Sequence, residues 1–522
     1  MPITPPGSHI LRQIVMHSLM AHLLLTGFHK SHAQASGNRI DCDSIVEHAQ
    51  RSLEEGNAAQ AATAITAALP QCPGNAQAYA LLGISLDEQH RYTEAHRALL
   101  RAISLNPSWA PFHNNLAVSY LHAGNAAAAT AEFRQVLRLE PNNRVAVLNL
   151  ATYYVEQKDF SRALQYLKAA KADSSGDPEL QMLMVKAYLG AGSTEEALQT
   201  AQQLSTATSE NPKLHFSLGL LFAQYGQSNE AIRQFQLVPI MERDYETYQN
   251  LGLAYVKVGS PDKARGAFEA AMRLAPGRPE PYLELSRIYL ASHKPDQAIF
   301  LLSQANQQAP NQVDVVVALA EVLMQTRRLD EADSLLASSI QQNPSNPILW
   351  QARGDLLDRQ HLDEQAIEAY QKSLHFDPKS IESRVGLARI YQRTGKATEA
   401  RAEYEAVLHA APNSAEANAG LGQIAFQSEH LDEATTYLER AFKKDPGNSE
   451  AGELLATIRL KEGKYAEADE ILRKLMETDP DNPRVHYLEG RALAKLGKSD
   501  DSQLEFEKAR QLTSGNSGIE RQ

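Results

Sequence analysis

Residues Tyr248–Pro276, YQNLGLAYVKVGSPDKARGAFEAAMRLAP, spell out two short helices and the break between them. Tyr248, Leu251, Gly252 and Tyr255 recur at spacings of three and four and share one helical face; Ala264, Phe268 and Ala271 do the same after the break. Gly259 suits the left-handed conformation that closes a helix. Ser260 is placed to cap the next one, and Pro261 and Asp262 fit its first turn. Amphipathic helices joined this tightly lie antiparallel and bury their apolar faces against each other. Gly252 on the first helix and Ala264 on the second are small where the two backbones cross.

The unit repeats. Counterparts of Gly252 stand at Ala49, Gly83, Ala117, Ala151, Val185, Gly219, Ser286, Ala320, Gly354, Ala388, Gly422, Ala456 and Gly490, every step being 34 residues except one of 33. Twelve residues after each small position comes alanine, thirteen times in all, Ala264 and Ala366 among them, with Ser502 the one departure. Prolines such as Pro107, Pro344, Pro378 and Pro480 punctuate the copy ends, where proline stops a helix. The units start near residues 42, 76, 110, 144, 178, 212, 245, 279, 313, 347, 381, 415, 449 and 483. Three copies lack the terminal proline and carry Ser175, Ser209 and Arg243 there. Pro239 falls where a second helix should still be running, so that helix is expected to stop early and the stack to bend or loosen near Val238–Asp244.

A helix-turn-helix period of 34 residues with small residues at two fixed places and proline at the end resembles the tetratricopeptide repeat family over residues 42–512. The resemblance implies an all-α solenoid, a right-handed superhelix of about 14 stacked hairpins whose first helices line a concave inner surface. It also implies binding of protein or peptide partners. A lone hairpin cannot bury its apolar face, so neighbours must stack. The last hairpin closes the array with a comparatively polar second helix, and residues 513–522 read as a disordered tail.

Ends, charge and cysteines bound the setting. Arg12 precedes an apolar, acid-free run from Ile14 to Phe28, and Ala33-Gln34-Ala35 offers a small-x-small cleavage pattern, so residues 1–35 read as an export signal and 36–41 as a short linker. An uncleaved membrane anchor and a cytoplasmic protein are the alternatives. A net charge of −12 gives neither a nucleic-acid footprint nor a polybasic membrane patch. The two cysteines, Cys42 and Cys72, open and close the first hairpin, whose ends lie near each other, so a disulfide is expected and fits an oxidising compartment; two unrelated thiols are the alternative.

The repeats occupy nearly the whole chain and leave no block for a catalytic domain. Gly420-Leu421-Gly422-Gln423-Ile424-Ala425 mimics a dinucleotide fingerprint, but no strand precedes it and Gly422 is a repeat position. The 17 histidines are scattered without zinc-hydrolase spacing, and His113, His215 and His486, which share one repeat position, read as packing residues. Trp109 and Trp350 are too isolated to form a stacking platform. The chain therefore reads as a non-enzyme with no cofactor and no metal.

On the face that the resemblance assigns to the groove, Val118, Leu121, Leu148, Val155, Met182, Leu189, Phe216, Leu220, Leu253 and Val256 form an apolar strip. Asp355, Asp358, Arg389 and Gln392 mark a later polar stretch. The strip is either a groove for an apolar peptide or partner helix, or core between neighbouring first helices. The Lys/Asn/Arg set by which chaperone-docking relatives grip a terminal carboxylate is absent, with Asn114, Asn115 and Asn250 as isolated fragments. What resembling exported proteins do points to a periplasmic or secreted scaffold in envelope assembly, secretion or polysaccharide export. The alternative is a regulatory or substrate-presenting subunit of an enzyme such as a glycosyltransferase.

Overall fold

A computed structural model describes residues 42–170, 177–207, 211–310 and 312–519. The expected export signal and linker, Ser175 and Ser209 lie outside the described residues. Within them the chain is all-helical: 28 α-helices and one 3-10 turn, with no strand. It divides at Arg243. The described residues up to Arg243, with 257–259, form one compact unit, and Asp244–Val256 with the described residues from Ser260 form the second.

Each unit is a run of antiparallel hairpins in which every helix packs on the next. First helices begin at Cys42, Ala76, Ala110, Arg144, Pro178 and Pro212 in the first unit. In the second they begin at Tyr245, Glu280, Val313, Pro347, Ile381, Ala415, Ser449 and Pro483. The turn inside each hairpin needs one left-handed residue, always seven positions after the small residue. Gly259 supplies it at φ 68°, as do seven other glycines, while His90, Lys158, His293, Arg327, His361 and Glu429 hold the same conformation at φ 55–61°. Side-chain capping varies more. Asn75, Asn125, Asp177 and Asn448 accept from backbone amides of the helices they precede, but Ser260, placed to do so, makes no such bond.

The two small positions have separate jobs. All thirteen alanines are fully buried. Where serine replaces alanine, the Ser502 hydroxyl donates to the Gly490 carbonyl at 2.8 Å, which places the twelve-residue partner directly against the backbone of the first helix. The empty Cβ side of the glycine is filled by a different residue. A Cβ on Gly252 would stand 2.5 Å from the Phe268 ring, and one on Gly354 would stand 2.6 Å from Tyr370, each sixteen residues on. Gly252 therefore makes room for a ring as well as for a crossing. Neither contact tolerates added bulk.

Cys42 and Cys72 form a disulfide with Cα atoms 6.1 Å apart, tying together the ends of the first hairpin. At the other irregular place, the helix from Ser228 stops at Leu237, two residues before Pro239. The Arg243 guanidinium donates to the carbonyls of Val238 and Gln236 at 2.9 and 2.7 Å, satisfying acceptors that a continuing helix would have used. The expected disordered tail needs correction: the last helix runs Ser499–Ile519, through residues 513–519. Once a helix is nucleated, each added residue gains a backbone bond at small cost, and the Thr513 and Ser514 hydroxyls bond back to Ala509 and Gln511.

Replacing the buried methyl at Ala366 by isobutyl, Ala366→Leu, is expected to cost about 1–3 kcal/mol by overpacking, read as a lower urea midpoint. Reducing the Cys42–Cys72 bond frees a loop of separation 30 and is expected to destabilise the first hairpin by about 3–4 kcal/mol. Hydrogen exchange of residues 42–72 with and without reductant measures it.

Candidate functional site

Many consecutive first helices touch, among them those from Cys42, Ala76 and Ala110 and those from Val313 to Pro483, and such contact decides how much of the inner face stays open. In the first unit Leu148, Val155 and Leu189 are buried, at 3, 6 and 6% exposure. Buried to this degree, these three side chains supply core, the second of the two readings the sequence left open. Val118, Leu121, Met182, Phe216 and Leu220 are half-buried. In the second unit Leu253 is half-buried, and Val256 is open at 40%. The apolar strip is therefore interrupted core with a few accessible edges.

The polar stretch is organised differently. Asp358, buried on hairpin 347–376, receives Arg389 Nη2 at 2.6 Å and Arg393 Nη2 at 2.7 Å, both from the next first helix. Arg393 also bonds Asp363. Asp358 is buried while both arginines reach it from the exposed side, so the carboxylate is the partner that would be costly to leave single. Beside them the Tyr370 hydroxyl donates to Asp355 Oδ1 at 2.6 Å, and the Tyr404 hydroxyl donates to Gln392 Oε1 at 3.2 Å while Gln392 Nε2 donates to Gln423. All four sequence-predicted polar residues thus take part in side-chain bonds, in three separate groups. Burial, and then the nearby Asp358 charge, push the Asp355 carboxyl above the usual aspartate range against the opposing pull of Tyr370 and Arg389. Glu321 shifts upward too, by burial and then by Asp355.

Sequence reading missed Tyr370, Tyr404 and Arg393. The signal was present: the position sixteen residues after the small one carries Phe133, Phe235 and Phe268 elsewhere, and a tyrosine there keeps the buried ring while carrying a hydroxyl to the first-helix face. Gly354 and Gly386 both leave space for the Tyr370 ring.

The first unit repeats part of this device. Asp87 accepts from the Ser119 hydroxyl at 2.6 Å and meets His122 Nδ1 at 2.5 Å, using the same two repeat positions as Asp358 and Arg393. The hydrogen bond to Asp87 raises the His122 pKa, partly offset by burial. His113 and His486 are structural ties. Their rings join Glu132 and Glu505 to the carbonyls of Pro107 and Pro480. Arg384 and Trp350 reach Pro378 and Pro344 from the same position. His215 meets Gln234 at 3.1 Å. Among the described residues no group of His, Cys, Asp and Glu is arranged to hold a metal, and no helix is long and apolar enough to cross a membrane.

Two family profiles described as tetratricopeptide repeat match the chain. One covers 120–187, 255–303, 289–356, 364–424, 393–458, 425–496 and 459–513, more than half of the residues; the other covers 46–108 and 80–144. Among curated relatives, anaphase-promoting complex subunit 3 of Schizosaccharomyces pombe is 26% identical over 179 residues, 34% of this chain and 27% of that protein. The human PEX5-related protein is 27% identical over 217 residues, 41% of this chain and 30% of the relative. Cellulose synthase operon protein C of Pseudomonas fluorescens is 23% identical over 259 residues, 46% and 20% of the respective chains. The chain thus spans less than a third of the length of each of these. Yeast Tom70, a solved structure, is 16% identical with a TM-score of 0.39, covering 84% of this chain and 97% of that one.

Removing the hydroxyl in Tyr370→Phe leaves Asp355 short of a donor. The expected result is a loss of about 1–3 kcal/mol in urea unfolding and a further upward shift of the Asp355 titration, followed by carboxyl NMR.

Proposed function

The chain belongs to the tetratricopeptide repeat family, and on that premise we propose that it is a non-enzymatic scaffold that holds a peptide or partner protein on its inner face. The observation that carries this reading is the second-unit surface in which Asp358, Arg389 and Arg393 are joined by bonds between consecutive hairpins and Asp355 is held by Tyr370 within its own hairpin, while Arg389 stays exposed. Groups held in place in advance lose little freedom on binding, so contact with them is specific. The relatives are named as a complex subunit, a PEX5-related protein and an Hsp70-Hsp90 organizing protein, in keeping with protein binding as the common theme.

The scaffold is exported and works in the bacterial periplasm or outside the cell. The apolar, acid-free run from Ile14 to Phe28 and the small-x-small pattern at Ala33–Ala35 support this. A Cys42–Cys72 bond is what an oxidising compartment sustains. A second reading, a regulatory or substrate-presenting subunit of a glycosyltransferase, is favoured by the likeness to a cellulose synthase operon protein. A catalytic subunit recurring in the captured material would select it over the first.

Affinity capture from the native host with the full chain tests the proposal. Arg389→Ala leaves Asp358 paired with Arg393, and Val256→Glu changes an exposed site, so both variants should melt as the parent does. Each is expected to lose a captured protein at least fivefold. Identical capture by parent and variants, or turnover of a substrate by the purified chain alone, overturns the scaffold reading. A host protein beginning anywhere upstream of Ser36 overturns export with cleavage.

A further inference from the structure

Hairpin 483–519 carries an uncovered cleft of about 670 Å³, floored by Pro483, Tyr487, Phe506 and Ala509, with Arg484 and Arg510 at its rims. In earlier hairpins of the same unit this face receives a helix. Glu453, one repeat before Tyr487, accepts from Asn482 at 3.2 Å and pairs with Arg484 at 2.9 Å on the following first helix. Ser373, four repeats before Ala509, meets Ser383 of its following first helix at 2.8 Å. At the Phe506 position Tyr370, Leu438 and Leu472 are fully buried, whereas Phe506 is half-buried and Tyr487 is 52% exposed. Among the described residues no helix fills the cleft.

We propose that this cleft docks an amphipathic helix of a partner protein, apolar on one face and acidic along its flanks. The shape argument is that the fold uses the same surface for a helix wherever a hairpin follows. The charge argument sets the flanks. Arg510 is exposed and pairs with no carboxylate among the described residues, and Arg484 uses only its Nε on Glu453. An aromatic floor with arginine at the rim is the composition that concentrates binding energy. A second copy of the chain fits less well. The exposed positions of its first described helix, Cys42–Glu54, include Asp43, Ser44, Glu47, His48 and Arg51, with no exposed apolar side chain to enter the cleft. The chain's own run from Ile14 to Phe28 has no acid and lies between Arg12 and Lys30, so it would meet the two arginines with like charge.

Fluorescence anisotropy with the full chain tests this. The probes are a labelled 18-residue helical peptide with leucine on one face and glutamate on its flanks, and its lysine-flanked counterpart. The glutamate peptide is expected to bind saturably and at least tenfold tighter than the lysine peptide. Arg510→Glu should invert that preference, and Tyr487→Ala should weaken both by tenfold or more, with melting unchanged because both residues are exposed. Absence of saturable binding to the parent, or affinities unmoved by both substitutions, overturns the assignment. Concentration-dependent self-association abolished by Tyr487→Ala also overturns it, giving the cleft to a second copy.

Discussion

One contact is repeated in every hairpin, and the rest of the structure depends on it: a methyl-sized side chain on the second helix, fully buried, lies against the backbone of the first. Antiparallel helices that approach this closely leave no gap for water and no slack for adjustment, since protein interiors pack at crystal density. Ser502 shows the limits of the site, being the size of alanine plus one hydroxyl that must find the Gly490 carbonyl. The large residue four positions later then fills the hollow on the other side of the same small residue. Phe268, Tyr370 and Phe506 all use it. Two neighbouring positions thus fix the angle and the distance of each hairpin.

Stacking one hairpin on the next is secured by polar ties as well as by apolar burial. His113, His486, Arg384 and Trp350 are chemically unlike, yet each donates to the carbonyl of a proline six residues before it. The demand is for a donor at one point in space, and several side chains meet it. A loop that ends in proline leaves a carbonyl whose satisfaction would otherwise depend on water. Along the inner face, the pairs Asp87 with His122 and Asp358 with Arg393 join consecutive first helices in the same geometry. These bonds also decide which polar groups remain free to meet a partner, because a carboxylate held by two arginines is already largely satisfied.

Where the register of 34 slips by one residue, the local chemistry changes with it. Proline ends the second helix early, and the arginine in the usual terminal-proline position reaches back to cap the exposed carbonyls. The division into two compact units falls directly after that arginine. The hairpin has been shortened, and its last acceptors are satisfied by a side chain in place of a further turn.

The all-helical hairpin architecture was legible in the sequence because its determinants are local and periodic. Alanine twelve residues after a small residue, a left-handed position at the turn and proline at the end each act within one hairpin, and their recurrence makes chance an untenable explanation. Tertiary structure alone decided which inner-face residues are open. Leu148 and Phe216 occupy the same repeat position, yet one is buried and the other half-buried, because exposure there depends on the neighbouring helix. Tyr370, read singly, is another core ring, and only packing between two glycines brings its hydroxyl to Asp355. The same holds for the cleft at hairpin 483–519 and for the helical continuation to Ile519, which polar composition alone does not reveal. Periodicity reports what a residue does inside its own repeat. Burial and partnership are set by residues on other helices, fifteen to thirty-five positions away.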